Sequence, residues 1–221
     1  MHGTVRGARC AALVGPFSSG KTTLMEALLF AAGAIHRKGK VTEGNTVGDD
    51  NAEARARQMS TEVSAATCKY LDDKWTLLDC PGSVEFAQDA HDALMVADVA
   101  IVVCEPDVNK ALALGPIFQF LETHDIPHIL FINKMDGASV RLNEVVATLK
   151  EMSSRPLVAR QIPIPNGEAP AGYVDLISER AFTYKPGEAS VMAEIPDTVK
   201  AEEQEARQEL LESLADFDDQ L

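Results

Sequence analysis

The sequence is short of several things, and each shortage narrows what the chain can be. It has no apolar run near the length of a membrane span; its longest apolar stretches are short and broken by charge. No membrane partner is therefore expected. The opening "MHGTVRGARC" lacks the charged-then-apolar order of a signal peptide. Cysteine is scarce: four residues, Cys10, Cys68, Cys80 and Cys104, each in or beside an apolar, strand-like run and without metal-ligand spacing. Free buried thiols in a reducing cytoplasm are the expectation, not a disulfide framework. Positive charge is outnumbered, with 20 Lys and Arg against 34 Asp and Glu, a net charge of −14. A surface that acidic repels a phosphate backbone, which argues against broad direct nucleic-acid binding while leaving local contacts open. Much of the excess lies in the tail from Glu194 onward, "EIPDTVKAEEQEARQELLESLADFDDQL", which reads as a solvated acidic helix face. No internal repeat and no low-complexity segment occurs.

What is present is a globular pattern. With 221 residues, 46% of them apolar, the chain holds one sizeable domain or one and a half small ones. From Arg9 to about Ser153 strand-like and helical runs alternate. "CAALVG" reads as a buried strand, and "KTTLMEALLFAAGA" as a helix with Leu24, Leu28, Leu29 and Ala32 at helical spacing. Gly39 to Ser60 is polar without an apolar period, a loop long enough to be functional or disordered. "VSAATCKYL" and "KWTLLDC" form a strand pair turning around Asp72-Asp73. "VEFAQDAHDALMVA" is helical, "DVAIVVCEP" a strand, "LALGPIFQFLETHD" one helix, "PHILFINKMD" a strand and "VRLNEVVATLKEMSS" a helix. Such alternation predicts an α/β fold, a mostly parallel sheet with helices on both faces, and ligands on such sheets sit at the carboxyl ends of the strands. After Arg155 the texture turns rich in Pro and Gly. Strand candidates at Leu157–Ile164, Tyr173–Ile177 and Ala181–Tyr184, then a charged helix from about Asp197, predict a small α+β subdomain. The expected boundaries are 1–154 for the first domain and 155–221 for the second.

Three motifs carry chemistry. "GPFSSGKT", Gly15 to Thr22, fits G-x-x-x-x-G-K-[ST] between a predicted strand and a predicted helix, the context that a P-loop requires. Its glycines allow backbone N–H groups to turn toward a phosphate chain, with Ser18, Ser19, Gly20 and Thr23 in the same stretch and the helix dipole behind it. Lys21 reaches the β- and γ-phosphates, and Thr22 offers a hydroxyl to Mg²⁺. The alternative is a chance Gly/Ser turn. "DCPG", Asp79 to Gly82, places a carboxylate at a strand end, where it can hold Mg²⁺, and a glycine whose N–H can meet the γ-phosphate. Alone, an Asp-Pro-Gly cluster is a common turn. "NKMD", Asn133 to Asp136, follows a strand. Asp136 can accept two hydrogen bonds from guanine, whereas adenine would leave the carboxylate badly paired. Asn133 can tie this loop to the P-loop and the stem of Lys134 can cover the base; a plain polar turn is the competing reading. In order on one α/β pattern, the motifs point to GTP or GDP with Mg²⁺ in a P-loop NTPase.

With those residues the chain resembles the translational GTPases, and most closely elongation factor G. "RQMSTEVSAATC" is similar to the end of that family's first switch. "SRPLVARQIPI", "GYVDLISERAFTY" and "LLESLADFDDQL" are similar to its inserted G′ subdomain. The resemblance implies a G domain (1–154) lacking its final strand and helix, a truncated G′-like part (155–221), and a ribosome as partner of the whole protein. It also implies metal contacts from Thr22, Ser60 and Asp79, with Ser60 at the family's threonine position and Thr61 beside it. Gln58 stands where the family usually has glycine. Ser83 departs most, because the family places a water-positioning histidine directly after D-x-x-G. Of the catalytic set Lys21, Gly82 and Ser83, the last is too short to do what the imidazole does, and His91 is too far along to replace it. The family's Ser-Ala guanine loop is not found after the subdomain. The expectation is a portion of a longer protein; a natural short form is the alternative.

Three readings remain open at this point. One is a GTPase coupling hydrolysis to ribosomal translocation or recycling. Another is a GTP-dependent binding module with weak or no hydrolysis, which Ser83 favours. The third is a ribosome-protection-type relative. An ATP-using kinase is disfavoured by Asp136.

Overall fold

In a computed structural model of the chain, residues 9–48, 51–136, 142–167, 169–185 and 187–216 are described. Most of the opening decapeptide, Val140 and Arg141 at the start of the fourth expected helix, and the last residues of the acidic tail lie outside that range. The chain forms two compact units, Met1–Lys134 and Met135–Leu221.

The first unit is a five-stranded sheet in the order β2-β3-β1-β4-β5, made of β1 (Arg9–Val14), β2 (Ser64–Tyr70), β3 (Asp73–Asp79), β4 (Val99–Cys104) and β5 (His128–Ile132). All neighbours are parallel except β2, which pairs antiparallel with β3. Period-2 alternation sorts the side chains: Ala11 and Leu13 join Met25, Leu29, Ala66 and Leu77 in one cluster. The alternate residues Ala12, Val14, Ala100, Val102 and Cys104 are equally buried. Both faces of the central strands are thus covered, as apolar parallel strands require, while on the edge strand β5 Ile129 and Phe131 stay exposed. The helices are α1 (Lys21–Ala31), α2 (Ala52–Arg57), α3 (Ala87–Leu94), α4 (Val108–Leu112) and α5 (Gly115–Thr123).

Several local expectations change. The buried line of α1 is Lys21, Met25 and Leu29, with Glu26 beside it, while Leu24 and Leu28 are half-buried. The stripe is turned by one residue because Lys21 itself faces inward. The polar stretch from Gly39 contains α2, which buries only Ala54 and so leaves no apolar period to read. The β2–β3 turn is Leu71-Asp72, both left-handed at φ 50° and 68°, one residue earlier than expected. This double positive φ matches the right-handed twist of a two-residue hairpin. Of the helix expected from Leu112, only Gly115–Thr123 forms α5, with Pro116 in its first turn, while Leu112 is the last residue of α4, which starts earlier, at Val108 behind the Asp107 cap.

The second unit holds α6 (Leu142–Met152) and a four-stranded antiparallel sheet, β6 (Gln161–Asn166), β7 (Ala169–Asp175), β8 (Arg180–Thr183) and β9 (Val191–Ala193), in sequential order. The three-residue β9 is absent from the sequence reading. Helix α7 (Lys200–Ala215) lays Leu210, Ala206 and Leu214 against Ile162, Ile164, Val174, Leu176 and Ala181 of the sheet. The acidic tail is therefore not wholly a solvated face: Leu210 and Glu203 are buried. All four cysteines are free, and burial pushes the Cys80 thiol up to about 12 and that of Cys104 to about 11.

Candidate functional site

The strand order reverses around β1: the chain passes from β1 to β3 on one side and then to β4 on the other. In open α/β sheets such a switch point leaves a crevice at the carboxyl ends of the strands. The loop Gly15–Gly20 sits there, between β1 and α1. Gly15 (φ 142°) backs onto β4 so closely that a Cβ would lie 2.1 Å from the Val103 carbonyl oxygen. Only glycine permits this approach.

Lys21 is 6% exposed, and its Nζ donates to the Gly15 and Pro16 carbonyls at 3.1 and 3.0 Å. Burial pulls this ammonium below its ordinary range, opposed by the charge of Asp79. Gly82 lies directly against it: a Cβ there would be 2.4 Å from Lys21 Nζ and 2.7 Å from the Phe17 nitrogen. Ser19 is buried, and its Oγ has no protein partner.

Thr22, Ser60 and Asp79 come together from three elements. Thr22 Oγ1 donates to Asp79 Oδ2 at 2.6 Å, Ser60 Oγ donates to the same oxygen at 3.4 Å, and the two hydroxyls are 3.3 Å apart. Asp79 is 1% exposed, and the Thr61 hydroxyl beside Ser60 is buried without a partner. A carboxylate and two hydroxyls are hard oxygen donors of the kind Mg²⁺ takes while keeping several waters. The residues present therefore fit that ion. Among the described residues no group of three His, Cys, Asp or Glu forms a metal cluster.

From the end of β5, Asn133 Nδ2 donates to the Ser19 carbonyl at 2.9 Å, and Lys134 Nζ donates to the Ser18 carbonyl at 2.6 Å. The expected tie between this loop and the P-loop is in place. Asp136 is exposed in the turn that follows and belongs to the second unit; Thr23 is exposed on α1. Ser83 is half-buried with extended backbone (φ −80°, ψ 141°), and its hydroxyl does not cap the short helix Val84–Phe86. His91 stacks on Phe120 with ring centroids 4.0 Å apart, which commits its imidazole to packing. Gln58 caps α2 in the left-handed conformation (φ 52°). It holds a backbone geometry that glycine adopts freely, at a cost of roughly 1 kcal/mol.

Two carboxylates bordering this crevice belong to no motif. Glu26, 1% exposed, accepts the Gly39 N–H on Oε2 at 2.6 Å and the Val47 N–H on Oε1 at 2.5 Å. Glu105, after β4, accepts from both Lys110 and Lys134. Their only sequence signal is a charge set inside or directly after an apolar run.

The family model described as Elongation factor Tu GTP binding domain matches residues 7–216. The chain belongs to this family. This GTP-binding domain is also 51% identical over 213 residues to a protein named Elongation factor G-like protein from Synechocystis sp., covering 96% of this chain and 32% of that one. It is 34% identical over 204 residues to Elongation factor G of Gluconobacter oxydans, covering 91% and 29%. A crystal structure of a Thermus thermophilus protein superposes with a TM-score of 0.85 at 31% identity, covering 95% of this chain and 31% of that one. The domain is elongation factor G-like, and it spans about a third of the length of these relatives.

Proposed function

We propose that the chain binds GTP and GDP with Mg²⁺ and hydrolyses GTP to GDP and phosphate, as the nucleotide-binding part of a cytoplasmic translation factor that works on the ribosome. The observation that carries this reading is the convergence of Thr22, Ser60 and Asp79 within 3.4 Å of one another, beside a P-loop whose lysine is buried. Lys21 would exchange its two loop carbonyls for phosphate oxygens, and the Ser19 hydroxyl supplies a further donor. Thr22, Ser60 and Asp79 would hold Mg²⁺, which neutralises phosphate charge when bound. Gly82 offers its N–H to the γ-phosphate end, and Asp136 reads guanine. Translocation and ribosome recycling are the steps that the elongation factor G likeness suggests.

Ser83 favours a second reading, in which the nucleotide is held but turned over slowly. Its hydroxyl sits on extended backbone at the position where the family carries an imidazole, and His91 is engaged with Phe120. A phosphate-release assay on the whole protein, with and without ribosomes, decides between them. Turnover like that of an ordinary elongation factor G supports the first reading. Absent turnover that Ser83→His raises supports the second. Equal displacement of bound nucleotide by ATP and GTP sinks both.

A further inference from the structure

Strand β4 ends at Cys104, and the next side chain, Glu105, is 13% exposed and shared between two ammonium groups. Its Oε2 accepts from Lys110 Nζ at 2.6 Å and its Oε1 from Lys134 Nζ at 2.9 Å. Glu105 is itself held. The Asp107 N–H donates to the Glu105 carbonyl at 2.8 Å, and the Asp107 carboxylate accepts the N–H groups of Asn109 and Lys110, starting α4 and fixing the turn from which Lys110 reaches back. Burial pushes the Glu105 carboxyl up, but the hydrogen bonds and charges of the two lysines outweigh it and hold the group below the ordinary glutamate range.

The far side of Lys134 touches the phosphate loop. Consecutive side chains, Asn133 and Lys134, draw on consecutive carbonyls, those of Ser19 and Ser18. In a trans peptide the C=O and N–H point in opposite directions. Pulling the Ser18 and Ser19 carbonyls outward therefore turns the Ser19 and Gly20 amides inward, which is how a run of backbone N–H groups forms an anion cradle. The left-handed φ of Ser18 (61°) and Gly20 (97°) suits this arrangement. Lys134 is 44% exposed on a flexible stem. Without a fixed countercharge it would trade the Ser18 carbonyl for water.

We propose that Glu105 is a positioning residue of the nucleotide site, bracing the phosphate loop through Lys134. The proposal rests on the reading of Gly15–Thr22 as a cradle for guanine-nucleotide phosphates. It is tested on the full chain with fluorescent N-methylanthraniloyl-GDP in stopped flow, comparing wild type, Glu105→Gln, Lys134→Met and the double variant. Glu105→Gln is expected to release the nucleotide about tenfold faster, the scale of one charge-assisted hydrogen bond at a part-exposed site. Association should be unchanged and the double variant no faster than Lys134→Met. Glu105→Asp, which keeps the charge on a shorter stem, should fall between wild type and Glu105→Gln. A wild-type release rate in Glu105→Gln, or effects that multiply in the double variant, overturns the proposal. If wild type retains no nucleotide at all, the nucleotide reading fails, and the brace is then read separately from hydrogen exchange of the Ser19 and Gly20 amides in the free protein. Faster exchange in Glu105→Gln supports it; unchanged exchange overturns it.

Discussion

The two units treat buried polar groups in opposite ways. Among the described residues, Ser19, Lys21, Glu26, Thr46, Thr61 and Asp79 are buried polar side chains of the first unit, and Glu203 is the buried polar side chain of the second. Burying such groups is costly unless something satisfies them. In the first unit Ser19, Lys21 and Asp79 gather at the carboxyl ends of the strands, where a charged ligand would supply what the Ser19 hydroxyl lacks, while Glu26 on α1 is satisfied by two backbone N–H groups. The second unit is closed over aliphatic residues and keeps its charges at the rim, in pairs such as Arg160 with Asp175 and Arg207 with Glu179. The described buried polar groups thus gather in the first unit, while the second holds one, Glu203, whose Oε1 has no hydrogen-bond partner.

Substitutions should separate the two. Leu176→Ala, at a fully buried position of the second core, should cost about 3 kcal/mol and lower the denaturation midpoint of that unit while nucleotide retention persists. Loss of both together would mean that the units are not independent. Lys21→Ala should do the reverse, weakening nucleotide binding at least ~100-fold, since truncating a buried, hydrogen-bonded charge commonly costs 2–5 kcal/mol of binding. Its urea midpoint without nucleotide should hold or rise, because a desolvated ammonium is gone.

A smaller effect tests the rim. The hydrogen bond from Arg160, with the Ser178 and Ile177 N–H groups, holds the Asp175 carboxyl below the ordinary aspartate range against its burial. A carboxyl whose folded pKa is depressed adds stability above its unfolded pKa, about 3.9, and loses it as pH falls through the lower folded value. Asp175→Asn should cost roughly 1 kcal/mol at pH 7 and flatten the midpoint-versus-pH curve below about pH 4. Gln58→Gly should raise the stability of the first unit by about 0.5–1 kcal/mol, by relieving a left-handed side chain. A fall in thermal midpoint would show that the glutamine has a stabilising contact. Least of all, Cys80, with its thiol pushed up to about 12, should stay unmodified by iodoacetamide at pH 8 in the folded chain, while half-buried Cys68 reacts.

What was legible in the residues follows from range. β1, α1, β3 and β5 could be read because each is a single apolar run between a turn and a motif. The P-loop, Asp79 and Asn133 could be read because phosphate chemistry ties them to fixed spacings and strand ends. Helix α2 was hidden because Ala54 is its one buried residue. Helix α4 is hidden because it is five residues long and buries only Ala111, so the apolar period becomes readable only from its last residue, Leu112. Glu26 and Glu105 carry no local signal because each acquires its meaning from partners in another element. No local pattern encodes the reach from Glu105 to Lys134, |i−j| = 29. The antiparallel β2 was readable as one arm of a hairpin, but its place at the sheet edge depends on pairing that the period of a strand does not specify.

The Glu26 carboxylate closes the chain between Gly39 and Val47 into a small ring, and the Ser64 hydroxyl, on β2, holds the next carbonyl, that of Gly48, at 2.7 Å. The segment that carries Ser60 toward Asp79 thus starts and finishes at almost the same anchored point. Because both ends of that span are held, Ser60 can leave Asp79 only as part of a loop closed at its base, and a glutamate on the first helix supplies one of the holds on that base.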